Sequence, residues 1–188
     1  RLNVIEPNIS FKVGKFSVEF FRVCHSIPDA MGIAIGTPLG FVVHTGDFKI
    51  DHSPVDGNQT DFSSLARFAD QGVFLLLSDS TYAEIDGYTP SEQLVGEALD
   101  RVVGDASGRV MIATFASLIS RIQQSIDAAV GHDRKVTIVG RSMLNNTKMA
   151  SKMGYLNIPA DTILNANQAS QLPLDKILIL ATGAQGEP

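Results

Sequence analysis

The sequence predicts an α/β fold. Three observations carry that prediction: short β-rich runs in the first half, a regular alternation of strand and helix patterns in the second, and a composition suited to a packed core. Of the 188 residues, 44% are hydrophobic and 19% charged, the balance of an ordinary globular protein. A chain of this length buries a sizeable core, as one large domain or two small ones.

Taken in order, residues 16–23, 32–37 and 40–44 are short β-rich runs, and Pro38-Leu39-Gly40 joins the last two as a hairpin. Asp61 is placed to cap a helix running through Phe68. Residues 73–77 form a continuous apolar run, which predicts a strand buried on both faces. After the turn-rich Asp86-Gly87-Tyr88-Thr89-Pro90, Ser91 precedes a helix in which Leu94, Val95, Ala98, Leu99 and Val102 recur at helical spacing. The pattern then alternates: strand 109–113, helix 117–130, strand 135–139, helix 142–153, strand 176–181. Successive β-α-β units predict a mostly parallel sheet covered by helices. The change of style near Tyr88 sets the expected domain boundary, giving segments 1–88 and 89–188.

Composition narrows the function classes. Cys24 is the sole cysteine, so no intrachain disulfide or cysteine-cluster metal site can form, and a reducing, cytoplasmic compartment is expected. No apolar run approaches the roughly 18 residues of a membrane helix. The start, Arg-Leu-Asn-Val-Ile-Glu, lacks the apolar segment of a signal peptide. A net charge of −5 argues against a protein coated in basic surface. Nucleic-acid binding still needs only a local positive groove or a metal centre. The first residue is Arg rather than Met, and both ends read as cut, so an internal piece of a longer protein is expected.

Two residues at strand ends have the chemistry of metal ligands. His25 follows the first β-rich run directly, and neutral imidazole is a good ligand for zinc and manganese. Asp47, in His44-Thr45-Gly46-Asp47-Phe48, follows an apolar strand, and its carboxylate can offer two oxygens to a pair of cations. The spacing alone is equally that of a hydrogen-bonded histidine and a turn-capping aspartate. His44 reads as a packed or hydrogen-bonded histidine and His52 as a solvent-exposed one.

Further along, Phe115-Ala116-Ser117 lies between a strand and a helix, where backbone N–H groups and the Ser117 hydroxyl can hold a phosphate; the alternative is Ser117 as a plain N-cap. Arg141-Ser142, at the next strand-to-helix junction, is a second candidate anion site, or a solvated surface pair. The glycines of 183–186 either approach a ligand or form a turn. Tyr82 either stacks on a base or is a rim aromatic.

His-Ser-Ile-Pro-Asp-Ala from His25 and Gly-Phe-Val-Val-His-Thr-Gly-Asp-Phe-Lys from Gly40 resemble the third and fourth metal motifs of the metallo-β-lactamase superfamily in their ribonuclease J form. Leu-Leu-Leu-Ser-Asp-Ser-Thr-Tyr-Ala-Glu, Gly-Tyr-Thr-Pro-Ser-Glu, Ala-Thr-Phe-Ala-Ser, Ile-Val-Gly-Arg-Ser-Met and Ala-Thr-Gly-Ala-Gln-Gly-Glu-Pro follow in that family's order. The resemblance implies part of a metallo-β-lactamase αββα sandwich over 1–88, then a β-CASP domain over 89–188, incomplete at its C-terminal end. It implies His25 as a ligand of one metal, Asp47 as a bridge between two divalent ions (zinc, or manganese), and Asp79 as an acidic residue supporting the catalytic centre, the plain alternative for Asp79 being a helix or turn cap. It also implies that the loop Phe115, Ala116 and Ser117 contacts RNA, although Leu118 and Ser120 stand where the family commonly has Asn and His.

The expected activity is metal-dependent hydrolysis of single-stranded, 5′-monophosphorylated RNA, both endonucleolytic and 5′-to-3′ exonucleolytic, by a cytoplasmic homodimer or homotetramer. The resemblance puts further ligands in a His-x-His-x-Asp-His motif and a later His outside these residues, so the piece alone is expected to bind catalytic metal poorly and to be inactive. The alternatives are a metallo-β-lactamase-fold hydrolase of a small ester or phosphodiester, and a non-catalytic RNA-binding module.

Overall fold

The computed structural model describes residues 3–182, which form two compact units. One unit holds residues up to His25 together with Asp29–Ser91; the other holds Ser26–Pro28 and the chain from Glu92 onward.

The first unit is built on a five-stranded mixed sheet: β1 (Ser10–Val13), β2 (Phe16–Arg22), β3 (Met31–Thr37), β4 (Gly40–His44) and β5 (Val73–Leu77), in that spatial order. The first four strands are antiparallel, and β5 runs parallel to β4. Strand β1, which the sequence reading did not anticipate, pairs with β2 through the two-residue turn Gly14-Lys15, with Gly14 at φ 61°. The expected hairpin pairs Thr37 with Gly40, and the Thr37 hydroxyl closes it on the Gly40 carbonyl at 2.7 Å.

Helix α1 (Phe62–Gln71) starts where Asp61 accepts a hydrogen bond from the Ser64 N–H at 3.0 Å. It contributes Phe68 to a core with Phe21, Val23, Ala34 and Val43. The Phe68 ring lies 5.7 Å from that of Phe21 and 5.0 Å from that of Phe41. Gly32 sits opposite Phe21 in the β2–β3 register, and only a residue without Cβ leaves room for that ring.

One expectation for this unit fails. Val73–Leu77 is not buried on both faces: all five residues are exposed, from 40% at Val73 to 61% at Phe74. Among the described residues β5 is an edge strand that pairs with β4 alone, so its apolar composition is not matched by cover.

The second unit contains α2 (Glu92–Asp105), β6 (Val110–Thr114), α3 (Ile119–Gly131), β7 (Lys135–Val139), α4 (Arg141–Lys152), β8 (Ile163–Leu164), α5 (Ala166–Ala169) and β9 (Ile177–Thr182). Its sheet has the order β6-β9-β7-β8, and every pairing in it is parallel, as the alternating pattern predicts. Val103, Ile122, Ile126, Val136, Met143, Leu178 and Leu180 form the centre of its core. The short β8 and α5 have no counterpart in the sequence reading, although Asn165 and Gln168 make a reciprocal capping box. Leu94 and Val102, counted toward the apolar face of α2, are exposed; Val103 is the residue this helix buries. Among the described residues, no helix is long and apolar enough to cross a membrane.

Candidate functional site

In the first unit the chemistry gathers at the strand ends. The residues just past β2 and β4 are drawn together by an isolated antiparallel bridge between Cys24 and Lys49, with the Lys49 N–H donating to the Cys24 carbonyl at 2.8 Å. Thr60, buried at 5% exposure, locks this bridge. Its hydroxyl accepts from the Cys24 N–H at 2.9 Å and donates to the Lys49 carbonyl at 3.2 Å. Flanking the bridge, His25 Nε2 and Asp47 Oδ2 stand 3.8 Å apart, with the Asp47 side chain 80% exposed and that of His25 30% exposed. The sequence-predicted pair is thus brought together with free solvent access to the carboxylate.

Asp79 joins them from the end of β5, which lies beside the end of β4 because those strands are parallel. Buried Thr45 couples the two: its N–H donates to the Leu77 carbonyl, and its hydroxyl accepts from the Asp79 N–H at 3.0 Å. The Asp79 carboxylate accepts from the Thr81 hydroxyl at 2.6 Å, the Thr81 N–H at 2.9 Å and the Phe48 N–H at 3.3 Å. These bonds, the Thr81 hydroxyl first, hold its pKa below the ordinary 3.8, and the nearby His25 adds to the effect. Asp79 is therefore a turn cap in geometry and an ionised carboxylate tied to the residue next to Asp47. Thr45 and Thr60 carried no motif that singled them out, and only their burial with satisfied hydroxyls reveals them.

His44 is hydrogen-bonded, its Nδ1 accepting from the Gly46 N–H at 2.9 Å, and His52 is exposed. Gly46 itself adopts φ 65°, a conformation costly for other residues, and Asp47 follows directly from that turn. Tyr82 is 69% exposed. Among the described residues, no group of three or more His, Cys, Asp or Glu side chains is placed to hold a metal ion. His25 and Asp47 suit zinc or manganese in donor chemistry, but as two donors they fall short of the four usual for zinc. A depression of about 540 Å³ in this unit involves none of these residues; it is lined by Asn8, Glu19, Asp61, Ser63, Ser64 and Arg67, which largely hydrogen-bond one another.

In the second unit both candidate anion loops lie at the C-terminal edge of the parallel sheet, where open α/β sheets bind ligands. Phe115-Ala116-Ser117 follows β6, and Gly140-Arg141-Ser142 follows β7. The end of β9 lies between them, and a Cβ on Gly140 (φ 105°) would stand 3.1 Å from Thr182 Oγ1. The geometry corrects one detail: Ser117 is not the N-cap of α3. The Phe115 carbonyl accepts from the Leu118 N–H and the Ser117 carbonyl from the Ile119 N–H, so a tight turn precedes a helix that begins at Ile119 without a side-chain cap. Arg141 opens α4 and is exposed.

Asn146, which the sequence reading passed over, donates from Nδ2 to the Ala116 carbonyl at 3.0 Å. A trans peptide points its C=O and the next N–H in opposite directions, so this bond turns the Ser117 N–H away from Asn146. The glycines of 183–186 lie outside the described residues.

Comparison with known proteins gives these observations a family. A profile described as "Ribonuclease J, beta-CASP domain" matches residues 107–188. The ribonuclease J of Synechocystis is 48% identical over all 188 residues. The chain belongs to the ribonuclease J family. The ribonuclease J of Corynebacterium glutamicum is 49% identical over 175 residues, 93% of this chain, and that of Thermus thermophilus 47% identical over 188. The chain spans only 24%, 29% and 33% of the Corynebacterium, Synechocystis and Thermus proteins. Among solved structures, a protein of unknown function from Enterococcus faecalis matches 99% of this chain and 46% of its own with a TM-score of 0.66. At 17% identity, that likeness concerns the fold alone.

Proposed function

We propose that this segment serves a metal-dependent ribonuclease that hydrolyses phosphodiester bonds of single-stranded RNA, with His25 and Asp47 as two of its metal ligands. The convergence of that imidazole and carboxylate to 3.8 Å, in a ribonuclease J family chain, is the observation that carries the reading. In this proposal the first unit is part of a metallo-β-lactamase sandwich, and the second is its β-CASP domain. When bound, two divalent ions, zinc or manganese, activate a water and offset the charge that develops on the phosphate.

The chain's own residues have separable tasks. Asp47, exposed and placed just after the turn at Gly46, would hold the ions through its carboxylate oxygens, and His25 would supply one nitrogen. Asp79, held ionised by Thr81, keeps the backbone at Phe48 in place beside them. At the edge of the parallel sheet, Ser117 and the Arg141-Ser142 helix start receive RNA phosphate oxygens. Two ligands alone hold zinc weakly, so the 188-residue segment by itself is a poor metal binder and inactive. The proposal extends to endonucleolytic and 5′-to-3′ exonucleolytic action on 5′-monophosphorylated RNA, and to a cytoplasmic homodimer or homotetramer; a chain with Cys24 as its single, buried cysteine suits that compartment.

The test is hydrolysis by a full-length ribonuclease J carrying this segment. Asp47→Ala and His25→Ala are each expected to lower RNA turnover by at least about a hundredfold, the scale set when a charge-stabilising group is lost. Undiminished RNA turnover in either variant, or turnover of small esters in place of RNA, overturns the reading.

A further inference from the structure

The outward face of α4 carries a charge pattern that the proposed chemistry does not use. Arg141, Lys148 and Lys152 are all exposed. At 3.6 residues per turn, the two lysines lie within about 20° of Arg141 around the helix, a single stripe roughly 16 Å long. Met143, Thr147 and Ala150, the residues that α4 buries, project from the opposite side, so the stripe faces away from the sheet.

The helix has no acidic residue, although the whole chain carries 20 acidic against 15 basic residues. By contrast, α2 carries Glu92, Glu97, Asp100 and Asp105 against the single cation Arg101, and α1 and α3 each balance one Arg against one Asp. Among the described residues, α4 is therefore the one helix with net positive charge. Arg22, Lys49, Arg67, Arg121 and Lys176 sit in ion pairs, whereas Lys148 and Lys152, like the scattered Lys12, Lys15, Arg101 and Arg109, enter none among the described residues; what sets the α4 pair apart is its alignment with Arg141 on one helix face.

We infer that Lys148 and Lys152 form a track for the phosphodiester backbone of single-stranded RNA, leading away from the anion loops at the C-terminal edge of the sheet. Resting on the ribonuclease reading, this inference adds a binding surface to it. Arg141 is the hinge between the two: it stands at the loop edge, and the stripe runs from it down the flank of the unit. An otherwise acidic chain gains from this placement, because long-range repulsion of RNA is offset along this aligned stripe, which favours one direction of approach.

Each phosphate neutralised on a single strand contributes about 0.7 to the slope of log affinity against log salt. Affinity of the 188-residue chain for a fluorescein-labelled, 5′-phosphorylated oligouridine is measured by anisotropy across a salt series. Lys148→Gln/Lys152→Gln is expected to reduce the slope by about 1.4, so that between about 50 and 200 mM salt the wild-type affinity falls roughly sevenfold further than the variant's. Lys12→Gln/Lys15→Gln, on the β1–β2 hairpin, is expected to leave the slope unchanged. These are surface changes, and an unaltered melting temperature confirms that each variant folds.

An unchanged slope in Lys148→Gln/Lys152→Gln overturns the track, as does an equal loss in the hairpin variant, which signals undirected electrostatics. A change in self-association with no change in RNA affinity also overturns it, assigning the stripe to a second copy of this acidic chain. Absence of RNA affinity in the wild-type chain overturns the track as well, while hydrolysis by the full-length enzyme stands as the separate test of the ribonuclease reading.

Discussion

Replacing Thr60 with Val removes one hydroxyl and keeps the shape, and it strikes the device that brings His25 and Asp47 together. The lost bonds are the 2.9 Å acceptance from the Cys24 N–H and the 3.2 Å donation to the Lys49 carbonyl, both at a residue 5% exposed. Removing one partner from a buried hydrogen bond costs about 1–3 kcal/mol, and the extra apolar surface of Val recovers only part of that. A net destabilisation of the first unit by about 1–2 kcal/mol follows. Thr60→Ser keeps the hydroxyl and sheds one methyl, for about 0.8 kcal/mol.

Hydrogen exchange of the Cys24 and Lys49 amides reads the effect locally, since the Lys49 N–H donates across the same bridge. In Thr60→Val both amides exchange about tenfold faster, the equivalent of about 1.4 kcal/mol, and in a full-length ribonuclease J carrying the segment metal affinity falls about tenfold or more. Protection equal to wild type in Thr60→Val, or a larger loss in Thr60→Ser, would refute the reasoning.

Two further outcomes are expected. Asp61→Ala removes the cap of α1 and costs about 1 kcal/mol at neutral pH. Burial raises the Asp61 pKa, but hydrogen bonds from the Ser64 N–H and hydroxyl, with Asn8 and Ser63, outweigh it and hold the folded-state value below 3.8. This ionised-state contribution is therefore present above pH 3.8 and lost as pH falls through the folded value, so urea unfolding curves of wild type and variant converge in strong acid. Gly32→Ala places a Cβ 2.2 Å from the Phe21 ring, which is fully buried, and overpacking of this kind costs about 1–3 kcal/mol. Phe21→Leu added to Gly32→Ala is expected to restore part of that stability in thermal melts, a coupling that separated sites do not show.

Much of this architecture was legible because periodicity and turn chemistry are local. The alternation after Ser91 encodes parallel strands and crossover helices, and Asp61 announces its helix by residue type alone. The misreadings fall where partners decide. Val73–Leu77 has the composition of a doubly covered strand, yet cover comes from other elements, and the described residues leave it at an edge. The helix expected from Ser117 begins instead at Ile119, because two backbone bonds make a turn just before it.

Strand ends identified His25 and Asp47, whereas their convergence depends on Thr60 and the Cys24–Lys49 bridge, contacts between residues 36 and 11 positions apart that no local pattern contains. Asn146 escaped notice for the same reason: its partner, the Ala116 carbonyl, lies 30 residues away.

Metal content by mass spectrometry, on a purified full-length ribonuclease J carrying this segment, compares wild type with Asp47→Ala most directly. A bridging carboxylate predicts about two equivalents of zinc or manganese in the wild type and loss of one or both in the variant, with its melting transition still cooperative. Equal metal content in the two folded proteins would contradict Asp47 as a ligand and, with it, the chemistry proposed for this site.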